Sequence, residues 1–432
     1  MLFKKIGLID ENFEYIPDMY IGTRNDKIAY IGRKMPSEDF GQEYDGQSKV
    51  LLPGFVNAHT HSPMALLRGY AEELPLDKWL NEKVFPFEDK LDCDRAYYGT
   101  SLSIAEMLSG GTTSFSDMYF FTDGVMRAVK DAKAKTNYSR CITSFGDDNF
   151  ENNSRVKEAI YAVEKYHNSE NGRIKIDFSL HAEYTNKKEV IESFGEYVRN
   201  RDNIVHIHAS ETKSEHDACK ERYGITPVRI FYDAHIFDAA TLLAHCVWIE
   251  DSDVDILKEK NVSVAHNPIS NLKLGSGVCD VYKLLNRGVN VAIGTDSSAS
   301  NNKLDMMREM FTASILQKGI QRKAEIISPK QVLKMATQNG AIAQGRFDTG
   351  LIKEGYKADI TVINLDNEHM CPEYNVINNL VYSAERSDVV LTMVDGNVLY
   401  KDGEFTTIDI EKIKAETNRI VKEVDSEVHA DD

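Results

Sequence analysis

His59 and His61 stand two residues apart at the end of an apolar run, LLPGFVNAHTH, that reads as a buried strand. Side chains alternate faces along a strand, so both imidazoles point the same way and can share one metal ion. Two structural histidines could have that spacing too, so the motif alone does not decide. Further on, His181, His208, His245, His266 and Asp296 each end another apolar run. Three ring nitrogens from His59, His61 and His208, with one carboxylate oxygen from Asp296, would leave a position open for water, as catalytic rather than structural sites do. A divalent cation so held lowers the pKa of bound water towards ~7 and supplies a nucleophile at neutral pH. Glu211, three residues past His208, is where a partly desolvated carboxyl could keep a proton and donate it; a glutamate that merely opens a helix would look the same. His245 could hydrogen-bond the attacking water or be a satisfied core histidine. His206 shares a face with His208 but lies deeper, in the core or behind a metal ligand. The fourth run ends in His181 and carries Lys175 at its opposite end, so no lysine is placed to bridge a second ion, and one metal is expected.

The elements that must hold these residues are eight strand-like runs: GFVNAHTH, GTTSFSD, SRCITSF, RIKIDFSLHA, NIVHIHAS, TLLAHCV, NVSVAHN and NVAIGTDSS. Amphipathic helical stretches separate them, among them 154–167, 187–198, 251–259 and 304–317. Alternation of this kind over roughly 240 residues gives a parallel sheet closed as a (β/α)8 barrel, and active sites of such barrels lie at the strands' C-terminal ends. An open doubly wound sheet is the alternative, but no G-x-G-x-x-G follows the first strand. The ends of the chain read differently, as short strands with Asp395-Gly396 and Asp402-Gly403 hairpin turns. We therefore expect an α/β protein with a TIM-type barrel over 54–345. A small β-sandwich would be built from 1–53 and 346–432, closing with a charged helix and an acidic tail. HNPISNLKLGSGV reads as a polar binding loop over the site, and Asn301 and Asn302 as residues that open a helix.

The chain has 432 residues, 42% hydrophobic and 28% charged, enough for one large domain and a smaller one. Its 68 acidic and 51 basic residues give a net charge of −17, a field that repels nucleic acid and anionic membrane. Six cysteines without a C-x-x-C pair argue against disulfides, a zinc ribbon or a redox motif. Neither a signal peptide nor a membrane-spanning run is evident, so a cytoplasmic protein is expected. Closed symmetric homo-oligomers are the usual outcome for soluble enzymes, and a homodimer or homotetramer is expected.

The block PGFVNAHTHSPMALLRGYAEELPLDKWLNEKVFPFEDKL, with GTTSFSDMY, HIHASET, AHC, HNPISNLKLGSG and GTDSSASNNKLDM, resembles the amidohydrolase superfamily, and within it the methylthioadenosine/S-adenosylhomocysteine deaminase group. The resemblance covers nearly the whole chain and implies a barrel with a β-sandwich. It implies His59, His61, His208 and Asp296 as ligands of one zinc or iron ion. It also implies Glu211 and His181 at the adenine edge, Glu88 at the ribose hydroxyls, Trp79 as a pocket wall and Arg155 as a substrate contact. The implied reaction is attack of activated water on C6 of the purine, with Glu211 protonating a ring nitrogen and Asp296 and His245 taking the water's proton. Asp296 then passes that proton to the leaving amine. Substrates would be 5′-methylthioadenosine, 5′-deoxyadenosine and adenosine. S-adenosylhomocysteine is doubtful, because SRCITSFGDD offers only Arg140, read as near that strand's start. A deaminase or dechlorinase of another heterocycle (guanine, 8-oxoguanine, a pterin or a triazine) is the alternative, and a catalytically dead binding protein the third reading.

Overall fold

The computed structural model describes residues 1–145 and 149–430. The strands in chain order are β1 (Leu2–Ile9), β2 (Tyr15–Arg24), β3 (Lys27–Gly32), β4 (Glu43–Asp45) and β5 (Lys49–Pro53), then β6 (Phe55–Thr60), β7 (Thr112–Tyr119), β8 (Lys135–Ile142) and β9 (Ile174–Leu180). They continue with β10 (Val205–Ala209), β11 (Thr241–His245), β12 (Ser263–His266), β13 (Asn290–Ile293), β14 (Ile360–Asn364), β15 (Val389–Val394), β16 (Asn397–Lys401) and β17 (Glu404–Phe405).

β6 to β13 are parallel neighbours in sequence order. Every residue in them except Lys175 and Asn290 is buried, as strands covered on both faces must be. Closure falls at the C-terminal ends: the Asp296 amide donates to the His59 carbonyl at 2.9 Å, and the Thr295 amide to the Asn57 side chain at 3.0 Å. The expected barrel is therefore the observed one, with helices such as Ser154–Tyr166, Lys188–Val198, Asp251–Glu259 and Met306–Gln321 outside it.

β1 to β5 and β14 to β17 form a second, mixed sheet in which β5 pairs antiparallel with β14, so both ends of the chain share one sheet. Asp395-Gly396 and Asp402-Gly403 turn its hairpins, with φ of 46° and 74°, and 48° and 91°, the left-handed values a tight two-residue turn requires. This sheet is tied to the barrel's N-terminal end. Lys135 on β8, 2% exposed, forms buried ion pairs with Asp359 and with Asp395, the latter at 2.7 Å. Thr361 and Thr392 donate to the carbonyls of Gly111 and Leu108 at 2.6 and 2.7 Å. The helix Ile410–Ala430 lies against the helix Cys93–Ser109, with Arg95 and Glu427 paired at 2.6 Å; the last two acidic residues of the tail fall outside the described residues. Among the described residues no helix is long and apolar enough to cross a membrane.

Two stretches depart from the reading of the sequence. HNPISNLKLGSGV holds the short helix Pro268–Lys273, begun by a proline whose fixed φ suits a first turn, so it is not a plain loop. Asn301 ends the helix Ser298–Asn301, and Asn302 closes it at φ 69°. Asn301 binds the Thr295 carbonyl at 2.7 Å and Glu309 at 2.6 Å, which braces the segment carrying Asp296 from the helix's far end rather than its start.

Candidate active site

The strand ends bring His59, His61, His208, His245 and Asp296 together. His59 is inside β6 and His61 one residue past it, and the rings lie 4.9 Å apart, as period-two alternation demands. Each ring is oriented through Nδ1. His61 donates to the Met118 carbonyl at 2.6 Å, His208 to the His181 carbonyl at 2.7 Å, and His245 to the Asn271 side-chain oxygen at 2.8 Å. A carbonyl can only accept, so these contacts fix the Nδ1–H tautomer and leave Nε2 as a lone pair. His59 Nδ1 shares a proton with His206 Nε2 at 2.9 Å, which puts His206 behind the cluster.

The Nε2 atoms of His61 and His208 then face each other at 3.3 Å, two acceptors with no proton between them. His59 Nε2 is buried with no hydrogen-bond partner among the described residues. Buried acceptors that converge without donors fit a cation, and imidazole with carboxylate suits zinc. Asp296 Oδ1 lies 3.7 Å from His59 Nε2 and 3.4 Å from His61 Nε2. Two triads could hold an ion, His59–His61–Asp296 and His59–His208–His245, with donor atoms all within 4.8 Å of one another, and His59 belongs to both.

Backbone strain surrounds this cluster. Ser210, His245, Cys246 and Asp296 have φ of 50°, 75°, 47° and 60°, left-handed values costly for residues with a side chain and found where structure over-determines them. Asp296 is held by the Ser297 amide on Oδ1 at 2.7 Å and the Ser270 hydroxyl on Oδ2 at 2.6 Å. Gly294 leaves no room for anything larger, since a Cβ would lie 2.4 Å from Asn267 Oδ1 and 2.8 Å from the His59 amide.

A cavity of about 810 Å³ opens over the cluster, lined by His61, His208, Glu211, His245 and Asp296 and also by Trp79, Glu88, Arg155 and His181. Glu211 is 7% exposed and accepts from Ser276 at 3.2 Å. Burial raises its pKa above the usual carboxyl range, with Asp296 adding to the rise and His245 opposing it. Burial alone would lower the pKa of His245, but the carboxylates of Glu211 and Asp296 raise it overall. Burial brings His181 down to about 3, a neutral ring that contacts Thr185 at 3.2 Å. Burial pushes Glu88 up to about 7, against a pull from the Tyr119 hydroxyl. Trp79 donates to the Ala71 carbonyl at 3.2 Å in a π-helical segment, Trp79–Val84, of the kind frequent at functional sites. Arg155 sits in the first turn of the helix Ser154–Tyr166, capped by Asn153.

His266, at the end of β12, stays fully buried in the barrel and does not line the cavity. Lys175 donates to the Gly345 carbonyl at 2.7 Å, at the start of β9. Arg140 corrects an expectation. β8 begins at Lys135 and ends at Ile142, so Arg140 is two residues from the C-terminal end and lines the cavity, its Nε on Glu158 at 2.6 Å. The third strand therefore does bring an arginine to the site; residues 146–148 of the same stretch lie outside the described ones. Sequence reasoning also passes over Ser270, Asn271 and Ser276, which orient Asp296, His245 and Glu211. They lie in the segment read as a loop, whose run of short polar side chains is the available signal.

A barrel with such a donor set under a cavity at its strand ends is that of a metal-dependent hydrolase. Residues 50–399 match the sequence model of the amidohydrolase family, and the chain belongs to that family. It is 41% identical over 394 residues to a 5-methylthioadenosine/S-adenosylhomocysteine deaminase of Dictyoglomus thermophilum, covering 91% of this chain and 92% of that one. It is 40% identical to a 5′-deoxyadenosine deaminase of Methanothermobacter thermautotrophicus, covering 89% and 90%. Among solved structures, an adenosine deaminase from Xanthomonas campestris with bound zinc superposes with a TM-score of 0.91 at 29% identity, over 98% of both chains.

Proposed function

We propose that this protein is a hydrolytic deaminase of adenosine and its 5′-modified derivatives, holding one divalent ion, zinc by its donor set, on His59, His61, His208 and Asp296. The observation that carries the reading is that one cavity is lined by three of these donors, His61, His208 and Asp296, by the buried carboxyl of Glu211 and by a second buried carboxyl, Glu88. A free base has no ribose for Glu88 to hold; the relatives' names point the same way. The ion's chemistry is to lower the pKa of a bound water so that a nucleophile exists at neutral pH.

The chain's own residues do the rest. Trp79 walls the cavity and His181, neutral through burial, meets the adenine edge. Desolvation favours the protonated form of Glu211, which gives its proton to a ring nitrogen as C6 is attacked, so no negative charge builds up on the ring. Asp296 and His245 accept the proton of the attacking water, and Asp296 returns it to the departing amine, while the remaining proton of the C6 hydroxyl goes back to Glu211 as the C6 carbonyl forms. Adenosine and water become inosine and ammonia. Arg140 and Arg155 at the cavity wall remove the reason to disfavour a carboxylate-bearing 5′ group, so S-adenosylhomocysteine joins the candidate substrates.

The test is ammonia release from adenosine, 5′-deoxyadenosine, 5′-methylthioadenosine, S-adenosylhomocysteine, guanine and 8-oxoguanine, with a chelated control. Turnover of the adenosines that stops on chelation is expected; turnover of free bases alone would replace this reading by that of a base deaminase.

Glu88 adds a pH dependence. Only its ionised form can accept hydrogen bonds from both ribose hydroxyls on both oxygens. Its pKa of about 7 makes that form the minor one in acid. KM for the adenosines should therefore rise as pH falls through about 7, and Glu88→Gln should raise KM while flattening that limb. An unchanged KM profile in the variant removes Glu88 from ribose binding.

A further inference from the structure

Strand β10 ends at Ala209, and the helix Lys213–Tyr223 begins four residues after it with Thr212 as N-cap, whose hydroxyl accepts the Glu215 amide at 3.1 Å. In a capping box the glutamate three residues into such a helix folds its side chain back to the N-cap amide. Glu215 instead reaches past it. One carboxylate oxygen accepts the Ser210 amide at 2.9 Å and the other the Glu211 amide at 2.7 Å. On the same turn the Ser210 carbonyl accepts the amides of Val247 and Trp248 at 3.0 and 2.9 Å. Both amides flanking the strained Ser210 and its carbonyl are thus held, and the chain can leave β10 in one direction only.

The geometry points to Glu215 as a positioning residue that fixes the backbone beneath Glu211 and so aims its carboxyl into the cavity. Glu215 is 7% exposed and does not line the cavity, so it acts through Glu211 and not on the substrate. The Glu211 side chain accepts from Ser276 at 3.2 Å and its other oxygen lies 3.9 Å from His245 Nε2, contacts on the carboxyl that cannot set the position of the Cα. Two anchors, one on the backbone and one on the carboxyl, define where the proton is delivered, and misplacement of a reacting group by about 1 Å costs on the order of 100-fold in rate. A glutamine at 215 keeps the size but presents an NH₂ to one of the two amides, donor against donor.

The role rests on the reading of Glu211 as proton donor, so it is tested by two measurements on the full-length protein. The first is hydrogen exchange, resolved to the 209–212 segment, in the wild type and Glu215→Gln. The Ser210 and Glu211 amides should be protected in the wild type and exchange about 10-fold or more faster in the variant. Exchange in the wild type at the rate of a free loop amide overturns the clamp, whether or not any variant folds. The second is a double-mutant cycle on the best substrate. Glu215→Gln should lower kcat about 10-fold or more with KM within about twofold and metal content unchanged. In a Glu211→Gln background it should cost no more than about twofold, because there is no proton donor left to aim. Full multiplicative loss in the double variant, or an unchanged kcat in the single one, overturns the positioning role. A wild type inert towards every adenosine fails the deaminase reading, while the exchange result still decides the clamp.

Discussion

Glu211→Gln is expected to lower turnover of the adenosines by ~100-fold or more, with metal content and thermal unfolding unchanged. Glutamine has the shape of the carboxyl and can still accept from Ser276, and its own amide is no proton donor to a purine nitrogen at neutral pH. Burial shifts this group towards its protonated form: it is 7% exposed, its pKa is raised by burial first, with Asp296 adding to the rise and His245 opposing it. An acid whose pKa is raised is competent below that raised value and loses competence as pH climbs through it. The wild type should thus show an alkaline fall in kcat/KM that is absent from the residual activity of Glu211→Gln. Steady-state kinetics with zinc analysis of the same preparations checks both. Wild-type turnover in the variant takes the acid role away from Glu211, and coincident loss of metal makes the residue structural.

The site's histidines are legible in the sequence because each obeys a local rule. His59 and His61 alternate on a buried strand, and His208 and His245 end apolar runs of the length a barrel strand has. Where the rules are not local, the sequence misleads. β8 opens with Lys135, Thr136 and Asn137, polar residues that no burial pattern would place inside a barrel. They are buried because partners distant in the chain satisfy them: Lys135 by Asp359 and Asp395, Asn137 by Asp177 and Arg346. The strand therefore reads as starting four residues late, which sets Arg140 at the wrong end. Glu215 is invisible for the opposite reason. T-K-S-E is an ordinary helix start, and nothing in it tells that the carboxylate overshoots the N-cap to seize the amides of Ser210 and Glu211. The left-handed turns at Ser210, His245 and Asp296 belong to the same class, since non-glycine residues take such conformations only when surrounding contacts impose them.

His59→Ala should abolish metal retention and lower deamination by at least ~100-fold, and added zinc should restore neither. His59 is the one residue common to both donor triads, so its loss breaks either arrangement, whereas loss of His61 or His245 spares one. Its backbone carbonyl also takes the Asp296 amide across the barrel seam at 2.9 Å, a bond that alanine keeps. The variant therefore removes the imidazole without opening the strands that present the other ligands. What remains is His206, which loses the ring at 2.9 Å that satisfied its Nε2. A buried group left without its partner costs about 1–3 kcal/mol, enough to lower the melting temperature but not to unfold a chain of this size. Metal analysis of the purified variant beside wild type, with calorimetry on both, separates the two effects. A folded His59→Ala protein that keeps its full complement of metal would break the ligand assignment and shift the centre to His61, His208 and Asp296. Loss of metal with the fold intact would make His59 the hinge of the donor set, with the His61 and His208 lone pairs, 3.3 Å apart, supplying its other side.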